Sequence, residues 1–287
     1  MSRDLAEVSP GVWVATAAIW TSNTTVVVDD DGGALVIDPG ITRTELDSLA
    51  DAIHGRGWRV VAGLSTHPHW DHVLWALSLG DVPRFASPAA IAALASDVER
   101  CWAEASSVDP AHDRALFGAL TPIGRLAGAP VGTEVPLGLP APHHCHVVSH
   151  RAHAPGHVAL VARGVLVAGD MLSDVEVPLL DVGPGRDAAR APADPLADYE
   201  QALDVLERAV AVHDVDVLVP GHGTVAVGRP AVRRRFEADR AYLRELRAAS
   251  AGRPGRGQAP MADPRLADAW VAGEHAAQAA FLGARHG

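Results

Sequence analysis

Three short apolar runs open the chain: Val12-Trp13-Val14, Thr24-Thr25-Val26-Val27-Val28 and Ala34-Leu35-Val36-Ile37. Runs this rich in β-branched residues and bounded by turn formers predict strands, and Asp30-Asp31-Gly32-Gly33 between the second and third predicts a hairpin. A helix is expected after Asp38-Pro39-Gly40, where Thr42 and Glu45 stand at capping-box spacing. It should end near Gly55-Arg56-Gly57, ahead of a strand over Val60-Val61-Ala62-Gly63-Leu64. Ser87-Pro88 has the form of an N-cap followed by proline at the first helical position, opening a helix from Ala89 to Ala105. Ser106 to Pro142 is rich in Gly, Pro and Ala and has no period, which predicts an irregular insertion able to lie over a site. Strand signals return at His146-Val147-Val148, Val158-Ala159-Leu160-Val161 and Val165-Leu166-Val167-Ala168. Asp194-Pro195 opens a helix whose Leu196, Tyr199, Leu203, Leu206 and Val210 form one apolar stripe. A last strand, Val215 to Val219, is closed by Pro220-Gly221-His222-Gly223. Helices at about Pro230 to Ala249 and Pro264 to Leu282 follow, with Gly252 to Pro260 as linker.

The periods therefore alternate between strand and helix in two broadly similar halves, which predicts an α/β fold. The 287 residues, 48% hydrophobic and 21% charged, suit one large soluble domain or a domain with an appendage. No apolar run approaches the roughly 20 residues that span a bilayer. The start, Met1-Ser2-Arg3-Asp4-Leu5-Ala6-Glu7, lacks a signal peptide's apolar core, so a cytoplasmic location without membrane attachment is expected. Cys101 and Cys145 fit a reducing compartment better than a disulfide framework. The formal net charge is −11, and every basic side chain is Arg. Such a chain has no basic track for nucleic acid. Arg233-Arg234-Arg235 is the only basic cluster, and its place on an amphipathic helix points to a solvated face.

Candidate chemistry concentrates where apolar strands stop. His67-Pro68-His69-Trp70-Asp71-His72 directly follows the strand ending at Leu64 and gathers three imidazoles and a carboxylate within six residues. Left in solvent, four titratable groups this close would cost desolvation and mutual repulsion, whereas a transition-metal ion takes this mixture of nitrogen and oxygen donors. In extended backbone His67 and His69 point the same way and can grip one ion; Asp71 and His72, in a following turn, can reach a second. Asp38 follows Leu35-Val36-Ile37, Asp170 follows Val167-Ala168-Gly169, and His222 follows Val219-Pro220-Gly221. In Ala154-Pro155-Gly156-His157 the turn would present the imidazole of His157. Each alone reads as easily as a turn residue, but together with the His cluster they supply donors for two ions. His146, His150 and His153 are read as edge or surface histidines, as is His143; His112 and His275 are weaker pocket candidates.

The motifs in this order, with Asn23 and Ile37-Asp38-Pro39-Gly40, resemble the metallo-β-lactamase superfamily in its dinuclear hydrolase branch. The resemblance runs over roughly Val12 to Gly223. It implies a four-layer αββα sandwich with the metals at one edge between the two sheets. It implies that His67, His69 and His157 hold one ion, that Asp71, His72 and His222 hold the other, that Asp170 bridges them, and that Asp38 orients the cluster. On this basis residues 1–228 would form the catalytic domain and 229–287 a helical extension packed on it. Val73-Leu74-Trp75-Ala76 stands where many members carry Gly-Gly, which departs from glyoxalase II, and Asp170 departs from true β-lactamases, which lack a bridging Asp.

The expected activity is hydrolysis of a small ester, lactone, thioester or related substrate by a hydroxide bridging two divalent ions. Zinc suits the donors best, with iron or manganese as alternatives. Asp71 is the candidate catalytic residue, able to orient the hydroxide or take its proton. The competing readings are a mononuclear iron persulfide dioxygenase, a nuclease or phosphodiesterase, and a non-catalytic scaffold. The −11 charge weakens the nuclease reading, and seven intact donors weaken the scaffold.

Overall fold

In the computed structural model, residues 4–139, 144–182, 192–250 and 262–285 are described. The first half forms seven strands in the order of the chain: β1 (Ala6–Ser9), β2 (Val12–Thr16), β3 (Asn23–Val28), β4 (Gly33–Ile37), β5 (Arg59–Leu64), β6 (Arg84–Ala86) and β7 (Thr121–Pro122). Pairing is antiparallel from β1 to β4 and parallel from β4 to β7. The second sheet runs β13-β12-β11-β10-β9-β8, built from β8 (Glu134–Pro136), β9 (His146–Ser149), β10 (Val158–Ala162), β11 (Val165–Gly169), β12 (Val217–Pro220) and β13 (Ala226–Val227).

Alternation along the strands makes three apolar layers. Val27, Leu35, Ile37, Ala62 and Leu64 of the first sheet meet Val147, Leu160, Val165, Val167 and Val219 of the second in the central core. The other face of the first sheet, Val26, Val28, Ala34 and Val36, packs with α1 (Arg43–His54) and α2 (Pro88–Val108). The outer face of the second sheet, with Ala159, Val161 and Leu166, packs with α3 (Pro195–Val212), α4 (Arg229–Ser250) and α5 (Ala269–Ala284). The result is the expected αββα sandwich. Among the described residues no helix is long and apolar enough to cross a membrane.

The predicted caps are in place. Glu45 and Thr42 complete the capping box of α1, Ser87 accepts from Ala90 N at the start of α2, and Asp194 accepts from Ala197 N at the start of α3. The last predicted helix is interrupted: Pro264–Ala267 is a 3-10 turn, and Asp268 then caps α5. Residues 106–139 differ from the expected covering insertion. They supply an edge strand to each sheet, β7 to the first and β8 to the second, so they link the two sheets at their edges. The expected linker Gly252 to Pro260 lies outside the described residues, as do His143 and Pro142. Of the basic run, Arg233 and Arg234 are exposed, while Arg235 pairs with Asp174 at 2.8 Å.

Candidate metal centre

β5 runs straight into the His cluster. After Leu64 the backbone stays tied to the sheet, with Ser65 N donating to Phe85 O, and Trp70–His72 then closes a 3-10 turn. This puts Asp71 and His72 on the turn that was anticipated. Val73, Leu74, Trp75 and Ala76, which stand where many members carry Gly-Gly, do not line the cavity. All four are buried in the outer core with α1 and α2, and Trp75 fills the space left by Gly63.

Two groups of donors converge at the open end of the sandwich. His67, His69, His153 and Asp170 form one, and Asp71, His72 and His222 the other; within each group all donor atoms lie within 4.8 Å of one another. In the first, His69 Nδ1 is 3.0 Å from both His67 Nε2 and His153 Nε2. In the second, Asp71 Oδ2 is 3.5 Å from His72 Nε2 and 3.6 Å from His222 Nε2. Asp170 faces both: Oδ1 is 3.2 Å from His72 Nε2, and Oδ2 is 3.4 Å from His67, His153 and His222 Nε2.

Surrounding groups decide which nitrogen each ring turns inward. Asp38 accepts from Thr66 N at 2.9 Å and from the Thr66 hydroxyl at 2.7 Å, which leaves that hydroxyl oxygen to accept from His67 Nδ1 at 3.0 Å. Asp38 Oδ2 also lies 2.9 Å from His72 Nδ1. His222 Nδ1 is held 3.2 Å from Trp20 O. In all three rings Nδ1 is engaged outside the cluster and Nε2 faces into it, the nitrogen that a metal ion would use. Asn23, the other residue of the opening motif, donates to Pro220 O and Gly223 O and braces the turn that carries His222.

The third nitrogen of the first group is a correction. His157 had been expected there and His153 at an edge or surface, yet His153 is buried with its Nε2 in the cluster. The backbone explains the exchange. His153 adopts a positive φ of 67°, which throws its ring into the crevice. Gly156, also left-handed at 70°, accepts from Ser87 Oγ at the start of α2, and this turns His157 inward beneath the sheet end. There His157 Nδ1 contacts Ala152 O at 3.2 Å, while Nε2 has no hydrogen-bond partner and faces Gly169. The signal for His153 was the same one that identified His67: a histidine in the loop directly after an apolar strand. His150 is buried against His157, their ring centroids 4.4 Å apart. His146 is half-buried at the start of β9, which pairs with β8 on one side and β10 on the other. His112 contacts Ile41 O and His275 contacts the Tyr242 hydroxyl.

Burial and neighbouring charge act in opposite directions here. Burial, with His72 and His69 nearby, holds His67 well below the usual imidazole range. For His72 burial opposes charge, but Asp170, Asp71 and Asp38 outweigh it and raise the pKa. Asp71 and Asp170 are buried too, yet the imidazoles of His72 and His222 keep both carboxyls well below their ordinary value.

The centre opens into a cavity of about 1030 Å³. Trp20 and Trp70 form one wall, their rings edge to face at 5.7 Å. The loop after Asp170 contributes Leu179 and Val182, and α5 contributes Trp270. No described residue from 106–139 lines this space. Two features had no sequence signal. Burial pushes the Glu176 carboxyl of the cavity wall up to about 7, His222 opposing and Asp170 reinforcing the shift. Arg265 makes a buried pair with Asp239 at 2.6 Å and donates to Ser173 O and Glu176 O, fastening the loop after Asp170.

A sequence model described as the metallo-beta-lactamase superfamily matches residues 18–222, a span that contains every donor named above. The chain belongs to the metallo-β-lactamase superfamily. Solved structures of this superfamily share its fold. A β-lactamase domain protein from Burkholderia ambifaria is 21% identical over 98% of this chain and 87% of its own, with a TM-score of 0.62. A metallo-β-lactamase from Hirschia baltica is 15% identical over 83% of this chain and 97% of its own, with a TM-score of 0.55. The metallo-β-lactamase FIM-1 from Pseudomonas aeruginosa, in a mono-zinc form, is 14% identical over 85% and 97%, with a TM-score of 0.53. At these identities the likeness is one of fold. A search of the curated proteins found no match. Members of the metallo-β-lactamase superfamily are mostly hydrolytic metalloenzymes, and the His/Asp groups of this chain are candidate metal sites in that frame.

Proposed function

We propose that the protein is a metal-dependent hydrolase acting on a small neutral ester, lactone or thioester that carries an apolar group. The observation that carries this reading is Asp170, one carboxylate with an oxygen near each donor group. The set fits two divalent ions: nitrogen and carboxylate donors suit zinc, with iron or manganese as alternatives, and the buried Asp170 Oδ1 has no hydrogen-bond partner. His67, His69 and His153 would hold one ion, Asp71, His72 and His222 the other, with Asp170 shared. When bound, such a pair lowers the pKa of a water to about 7 and polarises a substrate carbonyl.

The chain's own residues complete the chemistry. Asp71, kept ionised by His72 and His222, orients the attacking water and takes its proton at a carboxylate oxygen. Asp38 and Thr66 hold the rings of His67 and His72 in one orientation, so the geometry is set before substrate arrives. Trp20, Trp70 and Trp270 offer the substrate an apolar side of the cavity.

Charge around the cavity supports a neutral substrate. Glu104, Asp268 and Glu274 line it, and the two arginines among its described lining residues are engaged: Arg100 with Asp97 and Glu104, Arg265 with Asp239 and Asp263. A carboxylate or phosphate would compete with these pairs. This weighs against a β-lactam or nucleic acid substrate.

The test is a panel of neutral aryl and alkyl esters and lactones, each beside a carboxylate-bearing analogue, assayed with the zinc-loaded protein and with His67→Ala/His72→Ala. Turnover of the neutral members by the wild type alone is expected. Equal turnover by both proteins would overturn the reading. One iron per chain with oxygen consumption on a persulfide would replace it with the dioxygenase.

A further inference from the structure

A third group of ligating side chains lies outside the centre just described. β8 pairs with β9 in the register Pro136↔His146 and Glu134↔Val148, which makes Glu134 and His146 diagonal neighbours on one face of the sheet. α3 crosses β9 and ends there, with His213 as its C-cap residue. Three elements thereby bring three side chains to one point. Glu134 Oε1 lies 3.0 Å from His146 Nδ1 and 2.7 Å from His213 Nε2, and the two rings stand 4.8 Å apart. All three donor atoms fall within 4.8 Å of one another.

Two hydrogen bonds to a carboxylate would account for the two short distances. Three further features go beyond that. Both imidazoles converge on the same oxygen, Oε1, instead of dividing between the two. Two histidines and one carboxylate are a donor set that binds zinc with a water in the fourth position, and the partial exposure of all three side chains leaves that position open. The carbonyl end of an 18-residue helix also points here, and no basic residue stands in its last turn. The helix dipole therefore favours a cation at this point.

We propose that Glu134, His146 and His213 form a peripheral site for a divalent transition-metal ion, zinc or one of similar preference, completed by water. None of the three lines the catalytic cavity, and His146 stands at the opposite end of β9 from the loop that carries His153. The role is structural. The ion ties edge strand β8, and with it the segment linking the two sheets, to the end of α3.

The full chain is dialysed against micromolar zinc with its catalytic centre loaded, and zinc per chain is counted for the wild type, His213→Gln and His146→Asn. Both substitutions keep a hydrogen-bond donor for Glu134 while removing a ligand nitrogen. The wild type should hold one zinc more than either variant. Its melting temperature should rise with added zinc beyond theirs, while ester turnover stays the same in all three. Equal zinc counts in the wild type and both variants would overturn the site. Should the variants fail to fold, an anomalous difference map at the zinc edge decides on the wild type: a peak among the three side chains supports the site, and its absence at full catalytic occupancy removes it.

Discussion

Gly221 is where backbone and chemistry come closest. A methyl group there would collide with Asp170 Oδ1, the oxygen that faces His72. Gly221→Ala should therefore push the shared carboxylate aside and weaken zinc binding by about 10- to 100-fold, as changes beside ligands do. A chelator competition titration reads this directly, and unchanged affinity would mean that Asp170 is not shared. The assignment of His153 has its own test. His153→Ala should lose the ion of the first group and with it most turnover, while His157→Ala should keep the metal count and lose stability. The reverse pattern would restore His157 as the ligand. His150 bears on pH. Burial, with His153 nearby, lowers its pKa to about 3, and neither ring nitrogen has a hydrogen-bond partner. In the unfolded chain the ring titrates at about 6.5. Below that pH the unfolded chain binds a proton that the folded protein refuses until about pH 3. This contribution to stability is full above pH 6.5 and drains away on acidification, by up to about 1.4 kcal/mol per pH unit. His150→Leu should flatten the fall in urea midpoint between pH 7 and 5 by one proton's worth, and an unaltered slope would contradict the assignment.

Among the elements, α4 and the 3-10 turn at Pro264–Ala267 act on the centre at one remove. Arg265 and Asp239 are both buried, and Asp239 also accepts from Leu172 N, two residues beyond Asp170. Burial pushes Asp239 up to about 6, with Arg265 opposing. Removing the cation leaves a carboxyl with no compensating charge, so Arg265→Met should destabilise by about 3–5 kcal/mol, and adding Asp239→Leu should recover much of it. Urea unfolding of the single and double variants measures both. The sequence made some elements plain and concealed others for local reasons. His67 to His72 lie on one strand-to-turn junction, so spacing alone divided them between the two donor groups. Choosing among His150, His153 and His157 required the backbone signs at His153 and Gly156, which residue identity does not convey. β7 and β8 are two and three residues long and each contains a proline. No period exists in so short a run, and their pairing depends on edges supplied by distant strands. The buried Arg265–Asp239 pair spans 26 residues and had no motif to announce it.

At the scale of the molecule, the donors are divided between the two sheets. His67, His69, Asp71 and His72 follow β5 of the first sheet, whereas His153, Asp170 and His222 follow β9, β11 and β12 of the second. Each ion would draw ligands from both, so metal binding and closure of the sandwich edge are one equilibrium. Without the ions, buried imidazoles and carboxylates must settle among themselves, and His67 and His157 are driven toward neutrality while His72 and His222 are held charged. That arrangement is internally opposed, and bound ions would relieve it. A ligand that binds only the folded state stabilises it by about 2.7 kcal/mol for each site at a hundredfold excess over its dissociation constant. Exhaustive chelation should therefore lower the melting temperature by several degrees and abolish ester turnover, and zinc should restore both in a concentration-dependent way. His213→Gln separates the catalytic ions from the peripheral one: with that site removed, most of the chelator-sensitive stability should remain, because the ions that join the two sheets are still present. A melting temperature indifferent to chelator in that variant would show that the catalytic donors do not couple the sheets, whatever they do for turnover.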